Sequence, residues 1–258
     1  MHVKRTLTMA IAALAGACAP AIAAPMYRIG GGQPQAIPIN GVITVPGTIS
    51  NPTTIHIFDE STAGEFGVPE SNVGTLTVRG TLGQGGSLLI SVTDADEPAT
   101  LPAPETTRYN RGLISLGGLR LESPLNPGVE DPALRDATTL IAWIGNPSAA
   151  DPGSITGTIS VGRVYALDVP GDLSGIVTAT ANDPNLDQGQ MAIQRVRVGG
   201  NLSGTVQATG GTPPLDASNQ VQLLTQIASI NTLIVGPGGT SLLASVPAPA
   251  GRRDGATR

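Results

Sequence analysis

The chain has 258 residues, with nineteen acidic against fourteen basic side chains and a formal net charge of −5. That balance speaks against a nucleic-acid partner held by phosphate contacts, and an aromatic content of 2% rules out a core built on rings. Thirty-four glycines and twenty-two prolines disfavour a helical bundle, since both are poor in helix interiors, and leave Val, Ile, Leu and Ala on stacked strands as the way to fill a core.

Residues 1–23 read as a secretory signal peptide. Met1 to Arg5 is basic, Leu7 to Ala17 is a short apolar run, and Ala21-Ile22-Ala23 is a small-x-small cleavage site. The run is too short for a membrane span, and no later stretch approaches the necessary length. Cys18 is the sole cysteine, so the exported chain would carry no disulfide. Leu14-Ala15-Gly16 resembles a lipobox, but Ala17 separates it from Cys18, so cleavage is expected instead of lipid anchoring. Beyond the signal, twelve arginines and no lysine stand against nineteen acids, a balance of −7.

Residues 24–246 read as one domain of short strands and glycine corners. Val45-Pro46-Gly47-Thr48-Ile49-Ser50 is the first strand-and-corner segment, and Thr54 to Phe58 alternates so that His56 faces away from Ile55 and Ile57. Val73 to Leu82 keeps the same apolar spacing. Thr93 to Arg111, rich in Pro, Thr and acid, reads as an extruded loop (near 93–111), and Ile114 to Gly118 returns to the corner pattern. Asp131-Pro132 predicts an N-cap and first helical residue, opening a short helix through Ala137. Thr139 to Ile144 is a buried strand. A second loop is expected near 180–190, and Ser218 to Ile230 spaces Val221, Leu224, Ile227 and Ala228 as a second helix.

The organising feature is a repeat. Val169-Pro170-Gly171-Asp172-Leu173-Ser174-Gly175 returns 29 residues later as Val198-Gly199-Gly200-Asn201-Leu202-Ser203-Gly204. Ile155 to Val161 matches Leu173 to Ala179 at an offset of 18, Val45 to Ser50 resembles Val169 to Ser174, and Ile230 to Val235 follows Ile193 at 37. A base unit of about 18 to 20 residues with inserted loops predicts an all-β, single-stranded parallel β-helix or β-solenoid with irregular coils, the 37-residue step being an irregular double unit. An antiparallel β-sandwich is the alternative. The corner glycines are expected for their tolerance of positive φ. Asp172 and Asn201 suit corners, while Thr178 and Gln207 should meet water.

The motif V-[PG]-G-[DN]-L-S-G resembles the units of exported bacterial β-solenoid proteins, a group that includes adhesins, matrix components and polysaccharide-processing enzymes. The resemblance implies fold and compartment and carries over no functional residue. The stretch Val246-Pro247-Ala248-Pro249-Ala250-Gly251 followed by Arg252-Arg253 resembles a surface-sorting tail of the PEP-CTERM type without its hydrophobic helix, and residues 247–258 are expected to be a disordered end.

Chemistry-bearing groups are sparse. His56 is the only histidine after the signal, which removes the usual zinc and Cys-His constellations, and it reads as a surface strand residue. Paired carboxylates for glycoside chemistry could come from Asp59-Glu60, from Asp94, Asp96 and Glu97, or from Asp168 with Asp172. Asp168 instead suggests a ladder pair with Arg197, its 29-residue equivalent. Asp183, Asn185 and Asp187 form half of a calcium-loop pattern and are the candidate metal ligands, with calcium the candidate cofactor. The expected function is a non-enzymatic structural or adhesive protein of the cell surface or matrix, facing polysaccharide or its own copies. The alternative is a polysaccharide lyase or hydrolase using acids and calcium.

Overall fold

The computed structural model describes residues 25–59, 72–93, 115–145, 151–180, 192–209, 230–236 and 241–242. The strands are β1 (Pro25–Ile29), β2 (Gln35–Ala36), β3 (Val42–Ile49), β4 (Pro52–Asp59), β5 (Asn72–Leu82), β6 (Ser87–Val92) and β7 (Ser115–Glu122). After helix α1 (Pro132–Asp136) come β8 (Thr138–Trp143), β9 (Thr158–Val161), β10 (Arg163–Val169), β11 (Ile176–Ala179), β12 (Ile193–Val198), β13 (Thr205–Ala208), β14 (Ile230–Val235) and β15 (Ser241–Leu242). The signal segment, the two expected loops beyond Thr93 and Thr180, residues 218–229 of the expected second helix and the tail lie outside the described residues, while Ile230, its expected last residue, opens strand β14 instead.

From β3 to β14 the strands alternate between two sheets. Sheet A runs β15-β14-β12-β10-β8-β6-β4-β1-β2, and sheet B runs β13-β11-β9-β7-β5-β3. Each return to a sheet pairs in parallel with the previous visit. Antiparallel strand pairing among the described residues is confined to the ends, where β1 meets β2 and β4, and β15 meets β14. The all-β expectation with parallel sheets therefore holds. One passage through both sheets is called a rung below.

Aliphatic side chains stack from rung to rung because parallel pairing sets like positions opposite one another. Ile55, Ile90, Leu140, Val164, Ile193 and Ile230 form one column on sheet A, and Ile57, Val92, Ala142, Leu167, Val196 and Leu233 form a second. Val73, Leu116, Ile155, Leu173 and Leu202 form a column where the chain enters sheet B. The columns of both sheets belong to one hydrophobic cluster. Each fully buried Val, Leu or Ile contributes about 1.5–3 kcal/mol relative to exposure, so the columns stand in for the missing rings.

The 29-residue repeat is a register. Val169 lies opposite Val198, Val177 opposite Val206, and Leu173 bridges to Leu202. The 18-residue offset is likewise real, setting Ile176 against Thr158 and Ala179 against Val161. Two details differ from the sequence reading. Ile193 pairs directly with Ile230, so the 37-residue step is a single rung and not a double one. Val45 to Ile49 sits inside a sheet-B strand, whereas Val169 to Leu173 crosses from sheet A to sheet B; the two segments share letters and not a place in the rung.

The corner glycines also answer to another cause than the one expected. Gly171, Gly175, Gly200 and Gly204 are not among the glycines with positive φ. They are small because the rungs nearly touch there: a Cβ on Gly157, Gly175 or Gly204 would fall inside the carbonyl oxygen of Gly117, Gly157 or Gly175 respectively. A Cβ on Gly117 would lie 3.0 Å from the carbonyl carbon of Gly74, which extends the glycine column to β5.

Helix α1 forms where expected. Asp131 caps it, accepting from the Ala133 and Leu134 N–H groups at 3.0 and 3.3 Å, and Pro132 opens the first turn. Its one apolar anchor, Leu134, is fully buried in the main cluster beside the glycine surface of Gly80. The strand that follows, β8, is buried at all six positions.

Candidate functional site

The two sheets differ in what their outer faces meet. Sheet B alternates, with Ile159, Val177 and Val161 inside and Thr158, Ile176 and Thr205 exposed outside. Sheet A is covered on both faces over β4, β6, β8 and β10, as parallel sheets commonly are, and opens toward β12 and β14. His56, Ser91, Thr93, Ile141, Trp143 and Asp168 all point away from the inner columns and are nonetheless buried. His56 therefore faces outward as its alternation predicts, but it is not a surface residue.

On the outer face of sheet A, His56 Nε2 lies 3.1 Å from Thr93 Oγ1, which lies 3.2 Å from Ser91 Oγ. The His56 and Phe58 rings stand 4.8 Å apart, and the Arg28 guanidinium sits 5.7 Å over Phe58. Ile141, Trp143 and Ala166 make a second apolar cluster beside Leu89 and Tyr165, and Arg163 stacks 4.8 Å over the Tyr165 ring. The two hydroxyls have no exposed surface, so a polymer in solution does not reach them. The network holds β4 to β6.

The carboxylates are tied across rungs. Asp168 is fully buried and accepts from Arg195 Nη2 at 3.3 Å. Arg197, the expected partner, is its backbone register neighbour but is exposed. Asp172 does not converge with Asp168; it sits at the corner and accepts from the Asn201 N–H at 2.7 Å. Asp59 is buried, while Glu60, Asp94, Asp96 and Glu97 lie outside the described residues. Asp183, Asn185 and Asp187 do as well, and no group of three metal-ligating acids or histidines occurs among the described residues.

Sequence reasoning missed the ion pair of Glu122. Its carboxylate is 2% exposed and accepts from Arg79 Nε at 2.9 Å, with Arg120 Nε at 3.8 Å. Burial alone would push this carboxyl up; the Gly128 N–H, the Arg79 hydrogen bond and the charges of Arg79 and Arg120 outweigh it and hold the group below its ordinary range. Arg135, whose burial would lower its pKa, is instead raised by hydrogen bonds to Asp136 and Glu130 and by their charges. The only signal for the Glu122 pair is register, since Arg79 and Glu122 are 43 residues apart and meet only when β5 lies beside β7.

What remains accessible is the outer face of sheet B. Thr75, Thr158, Ile176 and Thr205 are exposed along one line, and Ser160, Thr178 and Gln207 form a parallel line beside it. Gln207 Nε2 donates to Thr178 Oγ1 at 2.9 Å, so positions expected simply to meet water also join neighbouring rungs. Over β9, β11 and β13 the described face is hydroxyl-rich and uncharged, while toward β5 and β7 it carries Arg79, Arg120 and the buried Glu122. Comparison of the chain with protein-family models, with curated proteins and with solved structures returns no match in any of the three.

Proposed function

We propose that the protein is a non-enzymatic, exported structural or adhesive protein of the bacterial cell surface or matrix. In this reading the rungs make a β-solenoid of the glycine-cornered kind, and the outer face of sheet B is offered to extracellular polysaccharide. One observation carries the proposal: the buried acids Asp168 and Glu122 are occupied by arginines of neighbouring rungs, while sheet B leaves a hydroxyl and amide face in water over β9, β11 and β13. Glycoside hydrolysis needs two carboxylates across the scissile bond, and acids spent on inter-rung pairs do not supply them. Rows of Thr, Ser and Gln can donate and accept along a polymer without a charge to desolvate.

The test is binding and turnover on one panel of acidic and neutral polysaccharides, with and without calcium. The reading expects retention on at least one polymer, weakened when Thr158 and Thr205 are both changed to Glu, and no new reducing ends or unsaturated products. Product release that stops on Asp168→Asn would overturn it in favour of a lyase or hydrolase.

A further inference from the structure

Charge is sorted on the described strands. Every carboxylate there is buried, at Asp59, Glu122 and Asp168, while the exposed charges are the guanidiniums of Arg120 on β7 and Arg197 on β12. Among the described residues the exposed acids, Glu130, Asp151 and Asp172, stand outside the strands. A chain with an acidic total therefore turns cations, and not acids, outward on its sheets.

Arg120 is in line with one of the polar rows on the outer face of sheet B. Thr178 lies opposite Ser160 on one side and Gln207 on the other. Leu119 lies opposite Ile159, and Arg120 follows the first as Ser160 follows the second. Arg120, Ser160, Thr178 and Gln207 thus stand in one line across β7, β9, β11 and β13. Neighbouring strands are ~4.8 Å apart, so the line runs about 14 Å over its three steps.

The Arg120 guanidinium is fixed on one edge and open on the other. Nη2 donates to Gly128 O at 2.8 Å, and Nε lies 3.8 Å from Glu122. Glu122 is itself spent on Arg79 Nε at 2.9 Å and on the Gly128 N–H, so one buried negative charge faces two positive ones. Glu130, which bridges to Glu122 through the backbone, pairs with Arg135 at 2.9 Å. The loop that carries Gly128 is tied by Asn126 N–H on Ser123 O and Val129 N–H on Asn126 O, each at 3.2 Å. The Arg120 side chain is nevertheless 50% exposed, and its Nη1 makes no hydrogen bond among the described residues. A fork held this way needs little further ordering to take an anionic oxygen pair.

We propose that the polymer taken by this face is an acidic polysaccharide, with Arg120 binding a carboxylate or sulfate while Ser160, Thr178 and Gln207 meet the sugar hydroxyls. The inference rests on the reading of sheet B as a polysaccharide face and names the class of polymer. Charge complementarity is its ground. A row of uncharged hydrogen-bonding groups alone would serve a neutral polymer equally, whereas a positioned cation at the end of that row favours an anion. No exposed acid lies on the described strands to repel one.

Retention of the chain on immobilised polygalacturonate and dextran sulfate tests it, each beside its uncharged counterpart, methyl-esterified polygalacturonate and dextran. At least one acidic polymer should be held about tenfold or more tighter than its counterpart, because hydrogen bonds to a charged group exceed the free energy of one decade. Added salt should erode the difference. Arg120→Gln should remove the preference, and Arg197→Gln, on the other sheet, should keep it. Gln207→Glu sits at an exposed position in the same row and does not touch the Gly128 loop, so it serves if Arg120→Gln disturbs that loop. It should weaken retention on the acidic polymer more than on the neutral one. Equal retention of charged and uncharged polymers, a wild-type preference in Arg120→Gln or unchanged acidic retention in Gln207→Glu would overturn the inference and leave the polysaccharide reading standing. Retention of no polymer would overturn both.

Discussion

Gly175→Ala separates two reasons for a corner glycine. Gly175 does not have positive φ, so the backbone accepts alanine, but the added methyl would fall inside the carbonyl oxygen of Gly157 and 2.9 Å from Gly157 N. The obstacle is backbone, which cannot turn aside as a side chain can. Overpacking of this kind costs about 1–3 kcal/mol. Opening the corner also stretches the bonds Ile176 N–H to Gly157 O at 3.0 Å and Gly175 N–H to Ile155 O at 3.2 Å, each with a net value of about 1 kcal/mol. The expected total is about 3–5 kcal/mol. Gly47→Ala is the control, because Gly47 has φ +71 and nothing within 4 Å of a Cβ. There the left-handed conformation costs about 1–2 kcal/mol, partly offset by about 0.4–1 kcal/mol from a less flexible unfolded chain. Urea unfolding followed by far-UV dichroism and by Trp143 fluorescence gives both values. A Gly175→Ala chain within 1 kcal/mol of wild type, or no less stable than Gly47→Ala, would falsify the stacking explanation.

Other expectations follow from the same geometry. The Glu122 carboxyl is held below its ordinary value in the folded chain, so its stabilisation is present above the unfolded pKa and disappears as pH falls through the folded one. Glu122→Gln should therefore be less stable than wild type near pH 6, by about 1–3 kcal/mol, since its arginine partners are partly exposed. In acid urea titrations the gap should close, and a gap independent of pH would refute the pair's role. Leu134→Ala should cost about 2–5 kcal/mol by opening a cavity under α1. Leu125→Ala, nine residues earlier, should cost less than ~0.5 kcal/mol; equal melting shifts would contradict the burial assigned to α1. Gln207→Ala should cost under about 1 kcal/mol, since its bond to Thr178 is exposed, and a larger loss of midpoint would mean that the outer ladder bears on stability.

The repeat was legible because parallel stacking writes the same requirement at the same offset. An inward aliphatic and a glycine at the point of closest approach recur wherever Leu173, Leu202, Gly175 and Gly204 must lie over their neighbours. The cause of the glycines was not legible, since a letter does not distinguish a turn from a near-contact between rungs. His56 was misplaced because alternation tells which way a side chain points and not whether that face is covered. Asp168 finds Arg195 instead of Arg197 although Arg197 is its register partner; diagonal neighbours on one face remain within reach of a long side chain. The segment Val45 to Ser50 misled because a bulge in a strand and a corner between sheets both favour Pro-Gly.

The ends of the stack bear on how copies could meet. Parallel rungs present open edges, and an unprotected pair of edges invites end-to-end growth. At the first rung, β3 bears Pro46, which has no N–H to donate, and Gly47, where the register with β5 slips between Thr44 and Thr48. On sheet A the same end is closed by β1, which runs antiparallel to β4, and the edge beyond it is the two-residue strand β2, too short to template a further rung. At the far end β15 reverses direction against β14 in the same way. These features oppose extension along the stack without touching its sides. They leave the outer face of sheet B untouched, with Thr158, Ile176 and Thr205 exposed along it.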